Sequence, residues 1–473
     1  MNRRDDKLRE ECGVFAVFTP GQGTEHHENL SRLVYYGLYA QQHRGQESAG
    51  MALLKGREFE LHRGLGLVAE VFTDAVLAQL QGSAAVGHVR YSTSGSNTLV
   101  NAQPLVGQSK IGPLAIAHNG NLVNAPVIRE LLEDAGVMFQ STSDSEVILN
   151  LIARGAKYGL ERALWDMVRA IQGAFSIALL TQESLIAIRD PYGIRPLVIG
   201  RREDSYVVAS ETCALDAVGA ELLRDVEPGE IVVIDDEGMR SLQQSEKTHS
   251  NTCSFEFIYF SRPDSRIDGV DVYASRTRAG KRLYEESPVE ADLVSGVPDS
   301  GVVAAMGYAE ASGIPYGQTL IKNKYVGRSF IAPSQELRER AVQVKLNVLR
   351  STVDGKRIIL IDDSIVRGTT SRRLVSMLRR AGAREVHFRV ASPPVRFPCY
   401  FGLDTPTRNE LAGSRSLEEI RQMIGADTLA YLSTEGLLAS IGRPRSFCTG
   451  CFTGVYPVAA PMEQEKLSME RKR

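Results

Sequence analysis

Short apolar runs separated by helical spacings dominate the first half of the chain. Residues 13–20 read Gly-Val-Phe-Ala-Val-Phe-Thr-Pro, an apolar stretch ended by Pro20 and Gly21. That pattern predicts a strand buried on both faces. Similar runs occur at 84–89, 114–117, 175–180, 185–188 and 231–234. Between them, residues 144–153 place Val147, Ile148, Leu151 and Ile152 at helix spacing. Layers of strands covered by helices are expected.

The longest stretch without an apolar residue, at 243–252, reads as a linker between two structured halves. Beyond it the pattern changes to strand 292–297, helix 301–311, a basic loop-rich segment 322–345, strand 357–361, helix 369–381 and strand 385–390. This alternation predicts a parallel sheet covered by helices. The tail at 462–473 is polar and expected to fray. No internal repeat or low-complexity block is visible. The expected division is a leader at 1–11, a domain at 12–242, the linker, a second domain at 253–461 and the tail.

Length and charge narrow the class. At 473 residues the chain exceeds one ordinary core. With 55 basic against 57 acidic side chains it has no polyelectrolyte bias, so nucleic acid is not an expected partner. No run approaches the ~20 apolar residues of a membrane helix, and the opening Met-Asn-Arg-Arg-Asp-Asp-Lys lacks the apolar centre of a signal peptide. A cytoplasmic protein with no membrane partner is expected. Six cysteines are few for a disulfide framework at this length, which leaves catalysis and metal ligation as better explanations.

Cys12, in Glu-Glu-Cys-Gly-Val-Phe (10–15), follows a charged eleven-residue leader. Without the leader, Cys12 would carry a thiol and a free α-amine on one carbon. The amine has a pKa of about 8 against about 10.4 for lysine, so near neutral pH roughly two hundred times more of it is free to take a thiol proton. N-terminal nucleophile enzymes use this arrangement. The plainer reading of the same residues is a small buried cysteine opening a strand.

In the second half, Arg-Ile-Ile-Leu-Ile-Asp-Asp-Ser-Ile-Val-Arg-Gly-Thr-Thr (357–370) delivers Asp362 and Asp363 at the end of a buried strand. A loop with Gly368 then opens a helix at Thr369 or Thr370. Loop N–H groups, threonine hydroxyls and the helix N-terminus make an anion site. The paired acids call for sugar hydroxyls or Mg2+. A Walker loop's Gly-Lys-Ser/Thr is absent, so a nucleoside triphosphatase reading is weak. Val-Pro-Asp-Ser-Gly (297–301) ends another predicted strand in the same position, making Ser300 a further anion or metal contact. The basic segment reads either as a solvated loop or as a lid over pyrophosphate.

The 357–370 motif resembles the phosphoribosyl pyrophosphate signature of type I phosphoribosyltransferases. The resemblance implies that Asp362 and Asp363 serve the ribose hydroxyls and Mg2+, with Ser300 a further Mg2+ contact. It also implies that Ser364, Arg367, Gly368, Thr369 and Thr370 hold the 5'-phosphate, and that the domain is a doubly wound parallel α/β sheet. In the first half, Gln-His-Arg-Gly-Gln-Glu-Ser-Ala-Gly (42–50), His-Val-Arg-Tyr-Ser-Thr (88–93), His-Asn-Gly-Asn (118–121) and Thr-Ser-Asp-Ser-Glu (142–146) follow Cys12 in order. They resemble class II glutamine amidotransferase domains over about residues 12–240, which implies an α+β fold, the αββα sandwich of N-terminal nucleophile hydrolases. Hydrolysis through a thioester needs an oxyanion hole, and Asn119 with the Gly120 N–H provides two donors. Arg90 and Asp144 supply the cation and anion that recognise a free amino acid, glutamine. Arg44 is placed with the glutamine-binding residues, steadying the Cys12 end.

Cys253, Cys399 and the pair in Cys-Thr-Gly-Cys (Cys448, Cys451) offer four soft ligands if the fold brings three segments together. The residues alone suit zinc or a 4Fe-4S cluster equally. Cys213 is read as a buried structural thiol. As a whole the chain resembles the glutamine phosphoribosylpyrophosphate amidotransferase family, and this resemblance decides for iron and sulfur. It implies that glutamine is hydrolysed at Cys12 and that ammonia displaces pyrophosphate from phosphoribosyl pyrophosphate to give 5-phosphoribosylamine, in the first committed step of purine nucleotide synthesis. A sealed passage would keep the ammonia unprotonated. The resemblance further implies that Tyr259 couples the sites, that purine nucleotides inhibit with Lys322 a candidate contact, and that the assembly is a homotetramer. The alternatives are a sugar-isomerising or asparagine-forming amidotransferase, neither of which requires the 357–370 motif, and a non-catalytic nucleotide sensor that would tolerate loss of Cys12.

Overall fold

The strand runs of the first half assemble into two sheets lying face to face. The computed structural model describes residues 12–21, 29–91, 96–242, 250–323, 346–403, 405, 408–442 and 446–460. The expected leader and tail, residues 243–249 of the linker, residues 324–345 of the basic segment, and Ser92 and Thr93 lie outside the described residues.

The strands of the first half are β1 (Gly13–Phe18), β2 (Ser48–Lys55), β3 (Glu58–Leu65), β4 (Ala84–Arg90), β5 (Leu105–Ser109), β6 (Gly112–Leu122), β7 (Gly173–Leu180), β8 (Leu185–Arg189), β9 (Val198–Arg202), β10 (Ser205–Ala209), β11 (Glu221–Asp225), β12 (Ile231–Asp235) and β13 (Gly238–Leu242). One sheet runs β11-β9-β10-β1-β4-β2-β3 and the other β13-β12-β8-β7-β6-β5. Their inner faces meet through Val14, Ala16, Ala52, Val86, Ala115, Ala117, Ala178 and Ala187. Alternate residues face outward under helices: Phe15 and Val17 under helix Leu30–Ala40, and Phe175, Ile177 and Leu179 under helices Asp144–Gly155 and Leu160–Ala170. Each central strand is thus buried on both faces, which is why its sequence is apolar throughout rather than alternating. Gly37 lets the first helix close onto β1, since a Cβ there would lie 2.3 Å from the Phe15 ring. The layers are those of the expected αββα sandwich.

The second half contains β14 (Asn251–Cys253), β15 (Arg266–Ile267), β16 (Val270–Asp271), β17 (Leu293–Gly296), β18 (Leu320–Lys322), β19 (Leu346–Val348), β20 (Arg357–Asp362), β21 (Glu385–Val390), β22 (Thr428–Tyr431) and β23 (Ser446–Cys448). Its main sheet, β17-β20-β21-β22, is parallel throughout. Ile359 and Ile361 face helices Val272–Glu286 and Val302–Ser312, whereas Ile358 and Leu360 face helices Thr369–Arg380 and Leu417–Ile424. Helices on both faces make the sheet doubly wound.

One expectation changes. Asn251 and Thr252, read as the end of the linker, belong to β14, which pairs in parallel with β23. Their polarity is satisfied inside the protein: the Asn251 N–H donates to the Tyr192 carbonyl, and the Thr252 hydroxyl donates to Asp268 at 2.5 Å. His-Asn-Gly at 118–120 lies within β6, which continues past the apolar run at 114–117. The halves share a core in which Val123, Ala174 and Ile194 meet Phe255, Phe257, Phe401 and Cys451.

Candidate functional site

Cys12 directly precedes β1, and its thiol donates to the Tyr91 carbonyl at 3.4 Å, just beyond β4. Burial pushes the thiol up to about 11, opposed by the nearby Arg90 charge and reinforced by Asp144. Those electrostatic contacts bring together three residues expected in one site. Arg90 is buried at the end of β4 and donates to the Ser96 carbonyl at 3.3 Å. Asp144 opens helix Asp144–Gly155 and accepts the Leu122 N–H at 3.0 Å, which ties the helix to the end of β6.

β6 packs against β1 and β4 and carries Asn119 and Gly120. The Asn119 side chain is fully buried, and neither its nitrogen nor its oxygen has a hydrogen-bond partner among the described residues. A buried amide left without partners costs free energy, and such an orphan in a native site points to a ligand. Gly120 has φ +147°, and a Cβ there would lie 2.0 Å from the Ala174 carbonyl oxygen, so only glycine fits. Burial holds His88 down at about 3 and lowers His118 as well, the latter opposed by Asp144.

Arg44 is not among these groups. Its guanidinium is buried and pairs with Glu211 and, at 2.6 Å, with Glu256. A further N–H donates to Ser261 at 3.1 Å. Two carboxylates neutralise this cation, so it joins the halves of the chain instead of facing glutamine. Glu211, Glu256 and Arg195 were not anticipated as partners. A signal existed in Phe-Glu-Phe-Ile-Tyr-Phe (255–260), where one carboxylate among aromatics demands a buried cation.

At the carboxyl end of β20, Asp362 and Asp363 are both buried. Asp363 accepts the hydroxyl protons of Ser300 and, at 2.5 Å, of Ser364. The Asp363 N–H donates to the Asp362 carboxylate at 3.0 Å. Gly368 has φ +84°, a left-handed conformation that favours glycine, where the loop turns into helix Thr369–Arg380. Thr369 and Thr370 begin that helix as expected, and Arg367 lies 3.7 Å from Glu410. Lys322 pairs with Asp299, next to Ser300, at the rim of this cradle.

Between the two sites lies the turn Glu256–Phe260, with Tyr259 half-buried and its ring edge-on to Phe260 at 5.5 Å. Arg276 donates to the Phe257 carbonyl at 2.8 Å and the Ser261 carbonyl at 2.7 Å. Burial lowers this guanidinium to about 10, while Asp363, Glu211 and Glu256 pull it back up.

The four expected ligand cysteines are neighbours. Cys253 and Cys448 are register partners across β14 and β23, Cys451 lies one turn on, and Cys399 Sγ accepts the Phe401 N–H at 3.4 Å. Burial pushes Cys253 up to about 11 and also raises Cys448 and Cys451, with the charge of neighbouring thiols adding to each of the three. Thiols that oppose one another's ionisation fit a cationic group that would bind all of them as thiolates. Among the described residues, no group of three or more His, Cys, Asp or Glu side chains is arranged to hold a metal ion. Cys213 is buried against Glu211 and the Ala40 carbonyl, as a structural thiol would be. No described helix is long and apolar enough to cross a membrane.

The chain is similar to known proteins along nearly its whole length. Residues 88–217 match the glutamine amidotransferase domain family. The amidophosphoribosyltransferase of Bacillus subtilis (strain 168) is 52% identical over 457 residues, covering 95% of this chain and 94% of its own length. A solved structure of the B. subtilis glutamine phosphoribosylpyrophosphate amidotransferase, in complex with ADP and GMP, superposes with a TM-score of 0.89 at 50% identity, covering 96% of this chain and 99% of that one. Another, described as the allosteric regulatory enzyme of purine biosynthesis, gives 0.90 at 51% identity over 96% and 98%. With an N-terminal-nucleophile sandwich joined to a phosphoribosyltransferase sheet, and relatives matched along nearly its whole length, the chain belongs to the amidophosphoribosyltransferase family, the enzymes of the first committed step of purine biosynthesis.

Proposed function

We propose the following division of labour for the glutamine-dependent synthesis of 5-phosphoribosylamine. Removal of residues 1–11 frees the Cys12 α-amine to act as base for its own thiol. The thiolate attacks the glutamine carboxamide, Arg90 and Asp144 hold the amino acid's two charged ends, and Asn119 with the Gly120 N–H stabilises the oxyanion. Ammonia passes the turn bearing Tyr259 to the second domain. There Asp362 and Asp363 hold the ribose hydroxyls, while the 364–370 loop and helix N-terminus hold the 5'-phosphate. The observation that carries this reading is the buried, unpartnered Asn119 amide near the convergence of Cys12, Arg90 and Asp144.

Ser300, Asp362 and Asp363 are the residues that would hold Mg2+, which binds through few protein oxygens and completes its shell with substrate phosphates. Cys253, Cys399, Cys448 and Cys451 would hold a 4Fe-4S cluster, and the family resemblance favours it over zinc. The domains are taken as 12–242 and, with β14 included, 250–461. Purine nucleotides are the proposed inhibitors, in line with the ADP and GMP in the B. subtilis relative's structure, and Lys322 beside the cradle is a candidate contact. A homotetramer rests on the resemblance alone.

Cys12→Ala tests the division. Glutamine-dependent synthesis should vanish while synthesis from high ammonium persists. Loss of both in a folded variant would refute it.

A further inference from the structure

The strand that carries the oxyanion donors is braced from the other half of the chain, by the segment that bears Cys399. Asn121 Nδ2, on β6, donates to the Tyr400 carbonyl at 2.8 Å. The next carbonyl, of Phe401, accepts two N–H groups of Arg195, from Nε at 3.0 Å and Nη2 at 2.6 Å. Arg195 is buried, and its own carbonyl accepts the Ser176 hydroxyl at 3.1 Å. Ser176 is in turn the β7 register partner of Asn119. These links close a ring: Asn119, Ser176, Arg195, Phe401, Tyr400, Asn121. Gly402 approaches so closely that a Cβ on it would lie 3.5 Å from the Gly120 Cα and 3.2 Å from Arg195 Nη2. The Phe401 N–H meanwhile points to the Cys399 thiol.

We propose that Asn121 is a positioning residue: by anchoring on Tyr400 it seats Asn119 and Gly120 at the geometry the oxyanion needs, and so makes the placement of the Cys399 segment a condition of glutamine hydrolysis. This rests on the reading of Asn119 and Gly120 as oxyanion donors. Two adjacent carbonyls, one held from β6 and the other from the connection between β8 and β9, cannot shift without breaking hydrogen bonds to both. The Ala174 carbonyl also confines Gly120, so the seat of the donors is set by β7 and by the 399–402 segment. Oxyanion donors act on the transition state, and a displacement of about 1 Å costs on the order of 100-fold in rate. The ends of bound glutamine are held elsewhere, by Arg90 and Asp144, so substrate affinity should not follow.

The test compares Asn121→Ala and the isosteric Asn121→Asp, which lacks the donor, with Asn119→Ala in the processed, metal-loaded enzyme. Glutaminase kcat should fall about 10- to 100-fold in both Asn121 variants, with the glutamine KM and ammonium-dependent synthesis each changed by no more than about threefold. Iron content should be unchanged, and hydrogen exchange should accelerate in the 112–122 peptide but not in 48–55. If Asn119→Ala is crippled while Asn121→Asp keeps the unsubstituted kcat, the positioning role is wrong and the oxyanion reading stands. If Asn119→Ala itself is unimpaired, the oxyanion reading and the proposal fall together. A matching loss of ammonium-dependent activity in Asn121→Asp would mark a general lesion and also overturn the proposal.

Discussion

Arg44 Nη2 lies 2.6 Å from Glu256 Oε2, a fully buried ion pair that joins the glutamine half to the phosphoribosyl half. Arg195 shares the same carboxylate at 3.4 Å. Glu211, the other partner of Arg44, also meets His43 at 2.7 Å and the Ser265 hydroxyl at 2.6 Å. The interface is therefore held by alternating charges that water does not reach, and each charge depends on its neighbours.

Breaking that alternation should be costly. Arg44→Met leaves two buried carboxylates short of a cation and is expected to cost about 3–5 kcal/mol. Trp165, the single tryptophan, sits in the first half, so its fluorescence during urea unfolding reads the effect on that half. An unchanged midpoint would contradict the role assigned to Arg44.

The same network sets an acid dependence. Burial pushes Glu211 up, but Arg44 and His43 override it and hold its carboxyl well below the usual range. A carboxylate depressed in the folded state contributes stability that is present above its unfolded value of about 4.3 and is lost as pH falls below it toward the folded value. Urea midpoints should fall more steeply on acidification from about pH 5 in the unsubstituted protein than in Glu211→Gln. Parallel pH profiles would remove Glu211 as the source.

Asp362→Asn and Asp363→Asn should separate the two reactions. Each removes a charge meant for the ribose hydroxyls and Mg2+, so transfer should drop by about 30-fold or more. Glutaminase activity in the folded variant should survive. Unchanged kinetics for phosphoribosyl pyrophosphate would refute the cradle.

Protein purified without oxygen should be brown, with iron and acid-labile sulfide in equal amounts. Cys451→Ser should lose colour and iron together, since Cys451 stands with the other three thiols. A colourless zinc protein of full activity would contradict the cluster.

Much of the fold was legible locally. The apolar runs at 175–180, 185–188 and 231–234 are strands because both faces of each are covered, and β20, helix Thr369–Arg380 and β21 fall at the residues their pattern predicts. The Asp-Asp pair and Gly368 were legible for the same reason: strand, loop and helix are consecutive, so their chemistry is written in one stretch. Arg44 was misplaced because Gln-His-Arg-Gly tells of a cation, not of which carboxylate meets it. The carboxylates that do meet it, Glu211 and Glu256, stand 167 and 212 residues away.

The sequence by itself determined the two layered halves and singled out Cys12, the Asp-Asp loop and the four cysteines as candidates for chemistry. Only the tertiary structure decided that Arg44 binds the halves together, that β14 joins β23 to set Cys253 beside Cys448, and that Asn121 rests on the Cys399 segment. The physical reason is the range of the forces concerned. Hydrophobic periodicity and turn chemistry act between residues a few positions apart, whereas a buried charge or amide is satisfied by whatever group the fold brings within about 3 Å.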